Sequence, residues 1–502
     1  MTPKTPPPQG GAARTICRLA SRLLGGFLLL ATGLALATAA RAAWPANCPG
    51  YTKCPMIDFA KIVRRDPEQL KLDVLIAKRE AAAVLAGQRP DLPKDKAEIV
   101  LGKAIMFDVN LSARRNQTCA SCHSPLSGYA EGVPIINQTT VTFPGSVPMR
   151  TANRKPPPAA YAAFAPILHY RAATNDFVGG TFWDARATGL VTGIPVADQA
   201  MAPLVGAAEM ALPDKACAAY RIANGAYAGL FTKVFGADSL SISWPANAEK
   251  ICAEPNNGGA DQEPLKLSAA GRMVALAAYT DVALAVASFE GSPEVVPFSS
   301  KYDAYLAGKA SLTDEEAHGL SLFVGKAKCR TCHDATGQAP LFTDFTASNI
   351  GVPANANNPF YYESLPDYKG YVANPAGTAY VDDGLGVILA MADNRQWQAL
   401  APDFIGTFQV STLRNVAARE GTRAYMHNGF FTSLQEVVHF YNTRDVLPHC
   451  SDSQGVVGVT CWPAPAQPAN LNTKQVGNLH LTAQEENAIV TFLRTLTDGY
   501  KP

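Results

Sequence analysis

One pattern, Cys-x-x-Cys-His, occurs twice in the chain and constrains its fold more than any other feature. The two copies are formed by Cys119, Cys122 and His123 and by Cys329, Cys332 and His333. The pattern is typical of covalent c-type haem attachment, in which two thiols bond to the porphyrin and the adjacent imidazole binds the iron. A zinc site built from both copies would leave each histidine unexplained. We therefore predict two covalently bound haem c groups rather than a thioredoxin-like pair or a chance match.

Residues 1–42 have the organisation of a secretory signal peptide. Three arginines precede the apolar run LLGGFLLLATGLALA, and the segment ends in the small residues ARA at Ala42. The run is too short and too abruptly ended for a membrane span, although an uncleaved N-terminal anchor is the alternative. No other stretch is expected to cross a bilayer. We expect a soluble periplasmic protein without stable membrane insertion after signal cleavage.

The remaining cysteines also favour an oxidising compartment. Of the 11 cysteines, one lies in the signal segment and four in the haem motifs, which leaves an even number for disulfides. Six cysteines allow many connectivities, so our assignment uses proximity along the chain. The predicted pairs are Cys48–Cys54, Cys217–Cys252 and Cys450–Cys461.

Charge excludes one class of partner. The chain has a formal net charge of +1, and removal of the five basic residues of the signal lowers it to −4. Nucleic acid is therefore not an expected partner.

Helix signals bracket both haem motifs. Capping boxes at Thr313 with Glu316 and at Thr482 with Glu485 predict helices before the second motif and at the C-terminus, and Gly325 is expected to end the first of these. Strand signals are sparse, and Pro-, Gly- and Asn-rich segments such as residues 351–380 read as surface loops. The predicted class is mainly α, with two cytochrome c-type haem domains and long irregular loops. The predicted divisions are a signal peptide (1–42), an N-terminal extension (43–94) and cytochrome c domains at 95–300 and 301–502.

Five segments together resemble one known family. They are LGKAIMFDVNLSARRNQTCASCH, FWDARATG, QAMAPLVGAAEM, STLRNVAA and YMHNGFFTSLQEVVHFYNTRD. In combination they resemble the bacterial diheme cytochrome c peroxidases, within the branch that contains MauG. The resemblance covers most of residues 95–502. It implies that the N-terminal domain is peroxidatic, and that the C-terminal domain stores and relays oxidising equivalents.

The resemblance also implies site residues around the first haem. Peroxide cleavage needs a group that moves a proton between the two oxygens, and Glu209 matches the family's acid/base carboxylate. Gln199 and Pro203 match residues of the same distal pocket, and Trp183 matches a tryptophan between the haems. By composition alone Glu209 would be a solvated loop carboxylate and Trp183 a core residue. The interval from Trp183 to Gln199 is longer than in the peroxidases, which leaves the shape of the pocket loop open.

The segment after the first haem motif lacks a second histidine. In many family members a distal histidine there must be displaced before peroxide binds, but residues 124–158 contain none. We therefore expect an open or water-occupied face at the first haem. His169 is expected to be a structural histidine and is the first alternative for a sixth ligand.

For the second haem, the segment FTSLQEVVHFYN is decisive. Ser433 and Glu436 read as a capping box, and apolar residues at helical spacing place Tyr441 on the inward face. The resemblance aligns Tyr441 with the methionine that classical cytochrome c peroxidases use as axial ligand. The MauG-like branch has tyrosine at this position, as this chain does. It implies Tyr441 as an iron ligand, with Met426 or His427 as the alternatives.

Relatives also hold a calcium ion between the domains. The best matches to its ligands are Asn153 and the carbonyls near Gln409 and Ser411, although most members have proline in place of Ser411.

The expected activity is reduction of hydrogen peroxide to water through a high-valent state shared by two haems. Electrons would come from a small c-type cytochrome or cupredoxin. The alternatives are a MauG-like oxidase that modifies a side chain of a partner protein, and a diheme electron carrier without catalysis.

Overall fold

The computed structural model describes residues 94–259, 262–450 and 455–502. The predicted signal peptide, nearly all of the N-terminal extension and the predicted Cys48–Cys54 pair lie outside these residues. Within them the chain is mainly α-helical with a few short strands. This confirms the predicted class.

The first half of the described chain forms eight α-helices around one hydrophobic cluster. They are α1 (Lys94–Met106), α2 (Cys119–Cys122), α3 (Pro134–Gln138), α4 (Pro195–Val205), α5 (Ala216–Ala223), α6 (Ala228–Phe235), α7 (Ala248–Cys252) and α8 (Ala269–Glu290). The buried residues of this cluster come from positions 97–296. Helix α8 packs along α1 and also against α4 and α5.

The second half repeats this plan around its own cluster, whose buried residues come from positions 302–496. Its helices are α9 (Lys301–Leu306), α10 (Asp314–Val324), α11 (Leu385–Ala390), α12 (Arg395–Leu400), α13 (Leu434–Thr443) and α14 (Ala483–Arg494). Of these, α11 and α12 pack in a smaller cluster that also includes Leu168 and Phe177 of the first half. Two separate clusters support the predicted domain division near residue 300, which stays a prediction.

The same helix crossing occurs in both halves and depends on glycine. A Cβ atom on Gly102 of α1 would lie 1.8 Å from the carbonyl oxygen of Ala285 on α8. A Cβ atom on Gly319 of α10 would lie 2.0 Å from the carbonyl oxygen of Ala488 on α14. Because only glycine permits such an approach of two backbones, each pair fixes how the helix before a haem motif crosses the last helix of its half.

Two small antiparallel sheets lie between the helices. Strand β1 (His169–Arg171) pairs with β2 (Asp176–Val178), with His169 opposite Val178. Strand β3 (Ala347–Ser348) pairs with β4 (Phe408–Gln409), with Ala347 opposite Gln409.

Helix capping largely follows the sequence signals. The capping boxes at Thr313 and Thr482 are both present, and α10 ends at Gly325 as predicted. The box at Ser433 is only half formed. The Ser433 hydroxyl accepts from the amide of Glu436, but the Glu436 carboxylate accepts from the amide of Thr432 rather than that of Ser433. The amide of Thr432 therefore donates to the Glu436 carboxylate in place of the Ser433 amide, whose bond would have completed the box.

Two of the three predicted disulfides are confirmed. Cys217 is bonded to Cys252 and Cys450 to Cys461.

The expectation that no segment after the signal peptide is long and apolar enough to cross a bilayer is wrong. Helix α8 is long and apolar enough to cross a bilayer. Its buried residues instead fill the core of the first half, where Phe289, Ala285 and Val282 belong to the hydrophobic cluster. Interior packing therefore accounts for its apolar composition.

Residues 351–380 are irregular, as predicted, with short 3₁₀ turns at Pro359–Tyr362 and Gly377–Ala379. The expectation that they lie on the surface is wrong for several polar residues. Asn358 and Glu363 are buried, and they bond to Asn153 and Thr151 of the first half. The segment is irregular because its polar side chains, rather than a helix or strand, satisfy its backbone and its neighbours.

Candidate haem sites and the residues between them

The first Cys-x-x-Cys-His motif is held by a capped turn of helix. The Thr118 hydroxyl accepts from the amide of Ser121 at 3.1 Å, and the Ser121 hydroxyl accepts from the amide of Thr118 at 3.0 Å. Cys119 and Cys122 are both unpaired. The Nδ1 atom of His123 lies 3.1 Å from the carbonyl oxygen of Tyr129. This contact orients the imidazole and leaves Nε2 for a metal.

The second motif lies on a 3₁₀ turn, Cys329–Thr331, that has no side-chain cap among the described residues. Its cysteines are unpaired, and Nδ1 of His333 lies 2.9 Å from the carbonyl oxygen of Phe342. Burial lowers the pKa of both motif imidazoles, His123 and His333, below the usual histidine value. Both rings are therefore neutral, which is the form that binds iron.

Each motif opens into a large cavity. The haem 1 cavity, lined by Cys119, Cys122 and His123, holds about 920 Å³ of empty space. The haem 2 cavity, lined by Cys329, Cys332 and His333, holds about 1600 Å³. Two free thiols, a neutral imidazole and a large cavity at each motif fit a haem group. Covalent attachment through the thiols stays a prediction.

Three predicted residues of the distal pocket meet in the haem 1 cavity. Gln199 and Pro203 come from α4, and Glu209 comes from the turn after it. A Cβ atom on Gly206 would lie 2.3 Å from Oε2 of Glu209, so the glycine makes room for the carboxylate. That carboxylate has no hydrogen-bond partner among the described residues. Burial raises the pKa of Glu209, while the nearby Arg186 guanidinium opposes the rise.

Trp183 lines both haem cavities. Its Nε1 donates to the carbonyl oxygen of Lys155 at 2.7 Å, and its own carbonyl oxygen accepts from the amide of Gln409 at 2.7 Å. Contacts of its ring and backbone therefore hold the indole where it borders both cavities, and its role between the haems stays a prediction.

The longer loop between Trp183 and Gln199 is held by one carboxylate. Asp198 accepts from the amides of Val191 and Thr192 at 3.2 and 2.9 Å and from the Thr192 hydroxyl at 2.7 Å. The extra residues extend outward, since the side chains of Leu190 and Val191 are exposed. Because Asp198 belongs to α4, these bonds tie the loop to the helix that carries Gln199 and Pro203.

All three candidate second ligands of the second iron line the haem 2 cavity. Tyr441 projects from α13, and Met426 and His427 come from the loop before it. The phenol oxygen of Tyr441 has no hydrogen-bond partner among the described residues. The imidazole of His427 stacks on Phe408, with 3.7 Å between ring centroids. Tyr441 as the ligand stays a prediction.

The predicted calcium ligands do not share one cavity. Asn153 lines the haem 1 cavity, and its amide donates to the Tyr380 hydroxyl at 2.8 Å. Gln409 and Ser411 line the haem 2 cavity and a smaller cavity of about 550 Å³. The calcium ion therefore stays a prediction. His169 lies exposed on β1, with Nδ1 2.8 Å from the carbonyl oxygen of Ile167, and it lines none of these cavities.

Two residues that line the haem 1 cavity were not predicted from the sequence. Glu290, the last residue of α8, is buried and lines the haem 1 cavity, and burial raises its pKa to about 8. Lys155 is buried between the two cavities and donates to the side-chain oxygen of Asn137 at 2.9 Å. The sequence offers only weak signals for them: Glu290 is a charged residue at the end of an apolar helix, and Lys155 precedes three prolines.

Paired haem-type motifs opening into two cavities with a shared tryptophan define a di-haem redox protein. The chain matches the family described as di-haem cytochrome c peroxidase over residues 96–311. It is 30% identical over 417 residues to the methylamine utilization protein MauG of Paracoccus denitrificans, covering 82% of this chain and 91% of that protein. The chain therefore belongs to the di-haem cytochrome c peroxidase and MauG family, and it is an oxidoreductase with two haem groups.

Two further comparisons agree. The cytochrome-c peroxidase IdrP1 of a Pseudomonas species is 26% identical, over 81% of this chain and 82% of its own length. The crystal structure of the diheme peroxidase BthA from Burkholderia thailandensis matches with a TM-score of 0.60 and 27% identity, over 80% of this chain and 86% of that chain.

Proposed function

We propose that the protein is a periplasmic peroxidase that reduces hydrogen peroxide to water with electrons from a small redox protein. One peroxide, two protons and two electrons give two waters. The observation that carries the proposal is the Glu209 carboxylate, which lines the haem 1 cavity beside Gln199 and Pro203 and has no hydrogen-bond partner in the described part of the chain.

The motif cysteines and histidines would hold the two haems as covalently attached haem c. When bound, the haems supply redox-active iron that takes two oxidising equivalents from peroxide. The chain's own residues supply the proton transfer and the path between the two sites.

Glu209 would accept the proton from one peroxide oxygen and deliver it to the other, so that the second oxygen leaves as water. A carboxyl group with a raised pKa holds a proton closer to neutral pH than an ordinary glutamate does, which suits this exchange. The Gln199 amide would orient the peroxide through a hydrogen bond. Pro203 offers no backbone N–H and would keep this part of the wall apolar.

Trp183 would carry electrons between the two haems. Its indole is oxidisable, lines both cavities and is held by the carbonyl oxygen of Lys155. Tyr441 would bind the second iron, where an oxygen ligand favours the oxidised metal.

Steady-state peroxide consumption by the haem-loaded protein tests the proposal. Reduced small c-type cytochrome or cupredoxin is the donor, and two donor molecules should be oxidised per peroxide. If no donor supports peroxide consumption and neither ferric haem responds to peroxide, the proposal fails and an electron carrier is the better description.

A MauG-like oxidase of a protein side chain is the second candidate. The similarity to MauG and the position of Tyr441 in the haem 2 cavity favour it. Mass spectrometry of periplasmic proteins treated with the enzyme and peroxide tests it. Oxidised tryptophan or tyrosine in one partner, absent with heat-treated enzyme, would support this activity.

A further inference from the structure

The two haem motifs differ in how far they reach the surface. The residues between the first pair of cysteines, Ala120 and Ser121, are buried at 2% and 7% exposure. The corresponding residues of the second pair, Arg330 and Thr331, are exposed. Thr331 also lines the haem 2 cavity. The second motif is therefore the one that an external protein can reach directly.

Basic side chains surround this accessible edge. The Nζ atom of Lys328 donates to the backbone carbonyl oxygen of Lys474 at 3.1 Å, which brings these two lysines together beside the motif. Arg330 lies between the motif cysteines. All three side chains are exposed, and none forms an ion pair with the described residues. We call Lys328, Arg330 and Lys474 the basic edge.

Nearby acidic groups offset only part of the three positive charges. Glu485 is engaged by Lys326 in an ion pair of 2.7 Å. Asp334 follows the motif, and among the described residues its carboxylate bonds only to uncharged groups, the amide and hydroxyl of Thr336, so it opposes the basic edge. Asp344 also lies near the motif, where it acts on the Cys332 thiol. The basic edge thus keeps a positive charge on a protein whose predicted mature net charge is negative.

We propose that the basic edge is the docking surface for an acidic redox protein that delivers electrons to the second haem site. This inference rests on the proposed function. Each donor molecule would give up one electron, and two donors would be oxidised for each peroxide reduced.

The physical basis is electrostatic attraction between exposed charges of opposite sign. Such attraction raises association rates by about ten- to a thousand-fold at low ionic strength. Salt screens it, because the Debye length falls to about 10 Å at 0.1 M salt.

Two forms of one donor test the sign of the charge. Mitochondrial cytochrome c is basic, and succinylation of its lysine amines gives an acidic form that carries the same covalently attached haem. The holoenzyme at low ionic strength should bind and oxidise the succinylated form at least about tenfold faster than the native form. This preference should disappear at high salt.

The double variant Arg330→Glu and Lys474→Glu should reverse the preference. The matched control is Lys309→Glu with Lys501→Glu, which makes the same charge change at exposed lysines outside the basic edge. Haem content and peroxide consumption with ferrocenemethanol, a neutral donor, should be equal in wild type and both variants.

Calorimetry of the binding of oxidised native and succinylated cytochrome c separates the docking proposal from the proposed peroxidase function, because binding needs no peroxide chemistry. Equal binding of both probes, or an unchanged preference in the double variant, would overturn the docking proposal. A retained binding preference without peroxide consumption by any donor would instead overturn the proposed function.

Discussion

Trp183 and Lys155 are joined by a hydrogen bond of 2.7 Å from the indole nitrogen to the backbone carbonyl oxygen. The amide of Lys155 in turn donates to the carbonyl oxygen of His427 at 2.7 Å. Residue 155 therefore ties the tryptophan between the cavities to the loop that carries two candidate ligands of the second haem. The position of the indole depends on contacts from both halves of the chain.

Replacing Trp183 by phenylalanine removes both the oxidisable indole and this hydrogen bond. We expect both haems to remain bound, electron transfer between the two sites to slow, and the free energy of unfolding to fall by about 1–3 kcal/mol, because a buried carbonyl loses its donor. Rapid-mixing spectroscopy and denaturant unfolding measure the two effects. Trp244→Phe is the control, since Trp244 packs against Tyr220 and lines neither haem cavity. Unchanged electron transfer in Trp183→Phe would remove the tryptophan from the pathway.

Glu209→Gln should leave both haems bound and slow peroxide turnover by about two to four powers of ten, the usual range for a lost general acid/base. Steady-state kinetics with a fixed donor gives the value. Glu254→Gln, at an exposed ion pair with Lys369, is the matched control. Turnover within a few-fold of wild type in Glu209→Gln would contradict the assigned role.

Glu290 should make stability depend on pH. Burial raises the pKa of its carboxyl group from an ordinary value of 4.5 to about 8, so the unfolded chain loses this proton first as pH rises. The contribution of Glu290 to the free energy of unfolding is therefore complete below pH 4.5 and is lost as pH rises to about 8. Across this window the free energy of unfolding falls by at most about 1.4 kcal/mol per pH unit.

Glu290→Gln should remove this contribution, so that wild type loses stability relative to the variant across that window. Denaturant unfolding of the haem-loaded proteins below, within and above the window measures it. If the free energy of unfolding changes with pH in the same way in wild type and Glu290→Gln, the predicted titration is contradicted.

Tyr441 distinguishes this protein from a peroxidase with a methionine ligand. Tyr441→Met should raise the potential of the second haem, because thioether sulfur stabilises the reduced iron more than oxygen does. Tyr441→Phe should open a coordination position there. Redox titration and the ferric spectra report both changes, and peroxide binding at the first site serves as the internal control. If both variants keep wild-type potentials and spectra, the ligand is Met426 or His427.

Local signals predicted most of what the structure contains. The haem motifs, the boxes at Thr313 and Thr482 and two disulfides depend on residues close in sequence, and the resemblance supplied the residues that line the cavities. Glu290 and Lys155 were missed because their burial is created by distant segments. The burial of Asn358 and Glu363 was missed for the same reason, since their partners Asn153 and Thr151 are about two hundred residues away. The half-formed box at Ser433 shows a local rule overridden by a neighbouring donor, Thr432.

The central claim is that the first haem site is open to peroxide in the resting protein. Among the residues that the structure describes, His123 is the only histidine that lines the haem 1 cavity, and His169 lies outside it. Rapid mixing of the fully oxidised, haem-loaded protein with peroxide tests the claim directly. We predict an immediate change in the haem spectrum without prior reduction. Absence of any change until one haem has been reduced would contradict the claim and would require a sixth ligand that closes the first site.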